Sequence, residues 1–170
     1  MDVIRAPWRM SYINSASRPP EEEGMPQCFI CAYIAEANDA ENLVVARGAH
    51  SFVLMNRYPY STGHLMIAPY RHTADFTALL PEEYGEIFSF AQTAVTALGT
   101  CMKPEGYNIG LNLGRVAGAG LDTHIHMHIV PRWNGDTNFM SVTAETKVLP
   151  QALSETYNQL LEVWPTTKQS

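Results

Sequence analysis

Histidine occupies every second position of His124-Ile125-His126-Met127-His128-Ile129-Val130, and an apolar residue fills each gap. In an extended chain, side chains at i, i+2 and i+4 point to one face and their neighbours to the other. The stretch therefore predicts a strand with three imidazoles on one face, about 7 Å apart at the usual rise of about 3.3 Å per residue. Such an arrangement is typical of chemistry on an anion or of metal binding.

The composition of the chain fits one compact domain with a buried core, because 46% of its 170 residues are hydrophobic and 16% are charged. We expect no membrane partner, because no apolar run approaches the roughly 18 residues of a membrane helix. We also expect no secretory signal, because residues 1–10 have no long apolar segment after their charges. Three cysteines favour the reducing cytoplasm over a disulfide framework. The net charge of -6 argues against a general nucleic-acid binder, since such proteins usually have a basic surface.

The first 27 residues are interpreted as an irregular N-terminal arm, because they combine Arg18-Pro19-Pro20 with the acidic run Glu21-Glu22-Glu23-Gly24. We predict one domain over residues 28–170, with a C-terminal extension from about residue 134. Apolar, β-rich runs separated by turn formers predict a short helix at 31–37, followed by sequential antiparallel strands at 42–46, 51–56 and 64–68.

The second half of the chain begins with a helical pattern at residues 81–102, where Pro81 suits a first turn and Pro104 cannot continue the helix. Its predicted inner face consists of Tyr84, Ile87, Phe88, Ala91, Val95, Leu98 and Met102. Residues 107–113 alternate as a strand, and residues 150–163 predict a closing helix that buries Leu153, Tyr157, Leu160 and Leu161. Mixed helices and antiparallel strands indicate an α+β domain.

The strand at 107–113 carries a small polar face made of Asn108, Gly110 and Asn112. If it pairs with the histidine strand, this face lies beside the imidazoles. The glycine-rich linker at 114–123 would let backbone N–H groups approach an anion, although it is neither a Walker loop nor a dinucleotide fingerprint.

Three imidazoles in register can divide the work of phosphoryl chemistry. One attacks phosphorus as a neutral nucleophile, while a neighbour donates a proton or carries positive charge. Two other interpretations stay open at this point. The histidines could together bind one zinc ion, or they could simply line a polar sheet face.

Cys28 and Cys31 have the spacing that supplies half of a tetrahedral zinc site. The alternative is two buried free thiols on a short helix. Cys101, at the end of the long helix, is predicted to be a core residue.

The residues resemble the histidine-triad (HIT) family, whose motif is His-φ-His-φ-His-φ-φ with φ apolar, and positions 124–130 match it throughout. Segments 28–32, 56–57 and 62–69 resemble the family's first helix and upstream strand pair. Segments 6–13, 110–114 and 128–133 are similar to its bacterial branch of diadenosine tetraphosphate phosphorylases and dinucleoside polyphosphate hydrolases. The resemblance implies an antiparallel sheet of about five strands with one long and one or two shorter helices.

This resemblance also implies roles for individual residues. His126 would attack the α-phosphorus of a nucleotide and form a nucleotidyl-histidine, and His128 would contact the phosphates. His124 and His64 would orient or support the nucleophile. The implied substrate-binding residues are Asn56, Asn112, Gly118, Gly120, Leu121 and His128.

The function implied is a hydrolase or nucleotidyltransferase acting on a dinucleoside polyphosphate, a small-molecule substrate. The alternatives are a phosphorylase, in which phosphate accepts the nucleotidyl group, and a regulatory nucleotide-binding module. Relatives carry a Gln or Ser donor before the triad, where residues 118–122 offer no amide or hydroxyl side chain, so water and phosphate both remain possible acceptors.

Relatives of this family also suggest a cofactor and an oligomeric state. A structural zinc would be held by Cys28, Cys31, His72 and His124, and no organic cofactor is implied. Family members usually dimerise by joining their sheets, so we expect a homodimer.

Overall fold

The computed structural model describes residues 28–136 and 152–165, so the predicted arm at 1–27 and most of the predicted C-terminal extension lie outside the described residues. The fold is α+β, as predicted. In chain order the elements are α1 (Phe29–Glu36), β1 (Val44–Arg47), β2 (Ser51–Met55), β3 (Leu65–Pro69), a 3-10 turn (Phe76–Ala78), α2 (Pro81–Met102), β4 (Gly106–Leu111), a second 3-10 turn (Arg115–Ala117), β5 (Met127–Arg132) and α3 (Leu153–Val163).

The five strands form one antiparallel sheet in the order β1-β2-β3-β5-β4. Strand β5 therefore lies between β3 and β4, and His128 is flanked by Met66 on one side and Gly110 on the other. The polar face of β4 thus lies beside the triad, as the alternation of that strand predicts.

The alternation around the histidines separates two cores. Met127 and Ile129 pack into the larger core, which the sheet shares with α2 and α3. The opposite face carries His128 and a smaller core in which Cys28 and Ile30 pack against Met66. Burial of the apolar residues in the gaps fixes which way the histidines point.

Helix α2 begins at Pro81 and ends at Met102, as predicted, and Lys103 closes it in the left-handed conformation. Its inner face is narrower than predicted, because Tyr84 and Phe88 are 48% and 57% exposed. The buried stripe follows residues 87, 91, 94 and 98. Phe88 is one residue past this stripe and hence rotated by about 100° from it.

Several other predicted boundaries shift. Helix α1 begins at Phe29 rather than 31, and β1 begins at Val44 because the Asn42 N–H is used in a turn to Asn38. Leu161 is 43% exposed rather than inward. Cys101 is only partly buried at the edge of the larger core.

The triad itself is less regular than a continuous strand. Strand β5 begins at Met127, so only His128 is a strand residue, and His124 and His126 precede it. The N–H of Ile125 bonds to the Thr73 carbonyl outside the β3 ladder, which separates the first histidine from the regular pairing.

Candidate functional site

His64 reaches the triad because a tight turn delivers it to the start of β3. Gly63 has φ +77°, and a Cβ there would lie 2.7 Å from the Met102 sulfur, so the turn requires glycine. The backbone N–H of Tyr60 donates to Nδ1 of His64 at 3.0 Å. Asn56 Nδ2 lies 3.3 Å from the same nitrogen. With Nδ1 acting as acceptor, the proton of the neutral ring is on Nε2.

This proton assignment continues to His128. Nε2 of His64 lies 2.9 Å from Nδ1 of His128, so His64 donates and His128 accepts. A neutral His128 must then carry its proton on Nε2, which makes it a hydrogen-bond donor on the far side of its ring. The backbone N–H of Tyr60 thus sets the tautomer of His128 through the intervening ring of His64.

His126 has the opposite tautomer. Its Nδ1 lies 2.8 Å from the carbonyl oxygen of His124, and since a carbonyl only accepts, Nδ1 carries the proton. Nε2 therefore holds the lone pair. Burial lowers the pKa of His126, although the bond to the carbonyl opposes this effect, so the neutral form is favoured at neutral pH. The ring lies 4.8 Å from that of His128, centroid to centroid.

A cavity of about 240 Å³ opens beside these two rings. Phe29, Tyr33 and Met66 give it aromatic and apolar walls, and Asn56, Gly120 and Leu121 also line it. The Asn56 carbonyl oxygen accepts from the Tyr58 N–H at 2.9 Å, which orients the amide. A partly open, largely apolar slot with a few fixed polar groups suits a flat ring joined to a polar tail.

Two predicted binding residues lie elsewhere. Asn112 lines a second, larger cavity on the other side of His128, and its amide is 3.5 Å from the Gly118 carbonyl. Gly118 has φ +90° and ends the 3-10 turn without lining either cavity. The structure thus separates Asn112 and Gly118 from Asn56, Gly120 and Leu121.

His124 faces away from both cavities and toward the two cysteines. Its Nε2 donates to the Pro69 carbonyl at 2.9 Å, which leaves Nδ1 as a lone-pair donor. Burial lowers the pKa of His124 to about 4, so the ring is neutral, as a metal ligand must be.

Cys28, Cys31, His72 and His124 form a cluster that could hold a metal, with their ligand atoms within 4.8 Å of one another. The Nδ1 atom of His124 is 3.3 Å from the Cys28 sulfur and 3.5 Å from that of Cys31. The Cys31 sulfur is 3.3 Å from Nδ1 of His72. Tetrahedral zinc, with bonds of about 2.3 Å to sulfur and about 2.0 Å to nitrogen, separates S and N ligands by about 3.5 Å, so these three distances match it.

The pKa of the Cys31 thiol indicates how a bound cation would change the protonation of the two cysteines. Burial and the neighbouring Cys28 raise the pKa of Cys31 to about 11. Two adjacent thiolates repel each other, and a bound cation reverses that effect by stabilising the deprotonated sulfurs.

Tyr60 is a site residue that no sequence pattern identified. Its ring stacks on His64 with 4.7 Å between centroids and also contacts His128. Phe29, Tyr33 and Arg57, which line the first cavity, were likewise not identified. The only signal was the run Tyr58-Pro59-Tyr60, which is equally typical of an ordinary turn.

Comparison with known proteins gives a consistent result. The HIT domain model matches residues 37–135. An AP-4-A phosphorylase of Mycobacterium tuberculosis is 41% identical over 161 residues, which cover 93% of this chain and 82% of that protein. An adenosine 5'-monophosphoramidase of Schizosaccharomyces pombe is 31% identical over 107 residues, which cover 63% of this chain and 75% of that protein.

Among solved structures, a zinc-bound histidine triad family protein from Mycobacterium smegmatis superimposes with a TM-score of 0.67 at 25% identity. The match covers 83% of this chain and 95% of that one.

Proposed function

The chain belongs to the HIT family, and we propose that it is an enzyme that cleaves a dinucleoside polyphosphate through a nucleotidyl group carried on His126. The observation that carries the proposal is the fixed pair of tautomers, with a lone pair on His126 Nε2 beside a donor on His128 Nε2. A partly open cavity with largely apolar walls adjoins both rings.

In the first half-reaction, the base and ribose of one nucleotide would occupy that cavity, with Asn56 near the ribose. The lone pair of His126 Nε2 attacks the α-phosphorus, and the bond from phosphorus to the bridging oxygen breaks. The electron pair leaves with that oxygen, and the proton on His128 Nε2 stabilises the charge that develops. His64 keeps that proton directed at the phosphates, and the backbone at Gly120 and Leu121, which line the same cavity, would assist it.

In the second half-reaction, an acceptor oxygen attacks the nucleotidyl-histidine and His126 recovers its electron pair. We propose phosphate as the acceptor, because the relative that is 41% identical over nearly the whole chain is an AP-4-A phosphorylase. Diadenosine tetraphosphate and phosphate then give ATP and ADP. Water is the second candidate, and it would give ATP and AMP.

One incubation separates these possibilities. Diadenosine tetraphosphate is supplied with and without phosphate, and the products are resolved by chromatography. We expect ADP only when phosphate is present, together with a nucleotidyl adduct on His126 in the wild type and none in His126→Ala. His50→Ala, at an exposed histidine outside both cavities, is the matched control. Absence of turnover in the wild type, or an adduct on another residue, would refute the proposal.

We also propose that Cys28, Cys31, His72 and His124 hold a structural zinc ion. When bound, this ion would tie the N-terminus of α1 to the residues just before β5. His126 and His128 would remain available for chemistry. A reducing compartment such as the cytoplasm would keep both sulfurs in the thiol or thiolate form that binds zinc.

A homodimer that joins two sheets is our proposal for the assembly. Strand β4 is the last strand of the sheet, and Ile109 on it is 48% exposed. Tyr84 and Phe88 add exposed apolar surface on α2. An edge strand flanked by exposed apolar side chains is a common surface for pairing with a second chain.

A further inference from the structure

A second cavity, of about 460 Å³, lies on the side of His128 away from the first. Tyr60 and His128 line both cavities and so form the boundary between them, whereas His126 lines only the first. The floor of the second cavity is strand β4 from Asn108 to Leu111, continued by Asn112. The two cavities therefore form one path that runs past the donor face of His128.

The walls of the second cavity combine apolar side chains with polar groups whose charges are nearly balanced. Arg132 donates Nε and Nη2 to the Asp136 carboxylate at 2.6 and 2.8 Å, and Nη1 to the Asn108 carbonyl oxygen at 2.8 Å. The guanidinium charge is thus balanced by the carboxylate. With its oxygen bonded to Arg132, the Asn108 amide presents Nδ2 as a donor. Such walls can hydrogen-bond a phosphate chain without the strong ion pairing that would slow its release.

Space is available directly beside His128. Gly110 is the residue opposite His128 on β4, and a Cβ built there would meet nothing within 4 Å. Because directly opposed residues point to the same face of a sheet, the open space above Gly110 adjoins the His128 ring.

We propose that this second cavity is the subsite for the departing nucleoside polyphosphate, the half of the substrate that His126 does not retain. The inference rests on the proposed function. Attack by His126 from the first cavity requires the leaving oxygen to lie opposite Nε2, roughly in line through phosphorus. The rest of the phosphate chain then passes His128 and enters the second cavity, where Asn108 and Tyr60 can contact it.

The chemistry at this subsite balances within the first half-reaction. The His126–phosphorus bond forms as the bond from phosphorus to the bridging oxygen breaks. The electron pair remains on the nucleoside triphosphate, which departs from the second cavity.

The test is a Gly110→Leu variant, which places a side chain in the second cavity from a position where an added Cβ meets nothing within 4 Å. We measure kcat/KM for diadenosine tetraphosphate, and the inhibition constant of AMP, which would occupy only the first cavity. We expect kcat/KM to fall about tenfold or more while the AMP constant changes less than about twofold. Gly106→Leu is the matched control, because it adds the same side chain at an unobstructed site of β4 that does not line the cavity.

If Gly110→Leu melts at a lower temperature than the wild type, its loss of activity could reflect lower stability. Asn108→Ala is the second variant for that case. It should raise KM for diadenosine tetraphosphate and leave AMP binding unchanged. Equal losses for substrate and AMP, or no loss in either variant, would overturn the subsite. A wild type that does not cleave diadenosine tetraphosphate would instead overturn the proposed function, so the two failures are distinguishable.

Discussion

The imidazole of His128 has its orientation and tautomer set by residues that are distant in sequence. His64 supplies the proton to Nδ1 of His128, and the Tyr60 N–H holds His64 in the tautomer that can do so. The donor face of His128 is therefore determined, through His64, by a backbone group. This arrangement makes His64 a positioning residue in the proposed mechanism.

At this scale we predict that His64→Phe lowers kcat about 100-fold and changes KM little, because His128 loses the group that fixes its proton on Nε2. Steady-state kinetics with diadenosine tetraphosphate measure the effect. His64→Gln should recover part of the loss, since its amide can donate to His128. A kcat within twofold of the wild type in His64→Phe would contradict the tautomer chain.

Among the elements, helix α2 is connected to the β1–β2 turn through hydrogen bonds to one carboxylate, that of Glu86. Glu86 accepts from the N–H groups of Ala49 and His50 at 2.8 Å, and from the Ser51 hydroxyl at 2.7 Å. Gly48 permits this approach, because a Cβ there would lie 2.5 Å from the Glu86 carboxyl carbon. Burial raises the pKa of Glu86, but these hydrogen bonds outweigh it and the net pKa is lowered.

We predict that Glu86→Gln reduces the free energy of unfolding by about 1.5 to 3 kcal/mol at pH 7, because charge-assisted hydrogen bonds are lost. Since the folded pKa lies below the unfolded one, the carboxylate stabilises the fold above the unfolded pKa. That stability is lost as the pH falls through the folded pKa. The variant should therefore show a weaker loss of stability on acidification.

Urea unfolding from pH 7 down to pH 3 tests this prediction. Glu82→Gln, one turn earlier on the exposed side of the same helix, is the control and should change stability by less than about 0.5 kcal/mol. Equal stability of Glu86→Gln and the wild type at pH 7 would show that the turn is held by other contacts.

Across the whole molecule, the four-residue cluster joins three separate segments of chain: the start of α1, the stretch after β3 and the approach to β5. We predict equimolar zinc in protein purified without chelator, and a lower melting temperature after treatment with EDTA. Cys31→Ser should lose zinc, whereas Cys101→Ser, at a cysteine outside the cluster, should retain it. The test is to measure the zinc content of the wild type and of both variants. A wild type that contains no zinc would exclude the site.

The proposed assembly is tested by sedimentation velocity at micromolar concentration. We predict a dimer for the wild type and a monomer for Ile109→Lys, because a charge at the β4 edge would be buried against the second chain. Leu161→Lys is the matched control, since Leu161 on α3 is similarly exposed at 43% and lies away from that edge. A monomeric wild type would contradict the proposal.

Much of the fold followed from local patterns. The apolar spacing and flanking prolines gave α2 its boundaries, and turn formers separated the first three strands. The patterns were wrong where burial depends on a partner element: Tyr84, Phe88 and Leu161 fit helical spacing, yet no described element covers them. Periodicity identifies an apolar stripe, but the width of the surface packed against it decides how much of that stripe is buried.

Some features of the candidate site also follow from local sequence, whereas others depend on contacts between distant residues. The sequence by itself determined that three histidines alternate with apolar residues, because a period of two is a property of the extended backbone, and it identified the family. Only the tertiary structure decided which nitrogen of each ring carries the proton. It also decided that Tyr60 and His128 separate two cavities, since those features depend on atoms brought together from the turn before β3, from β4, and from β5 with the residues just before it. Hydrogen bonds between residues 64 positions apart leave no local trace in the chain.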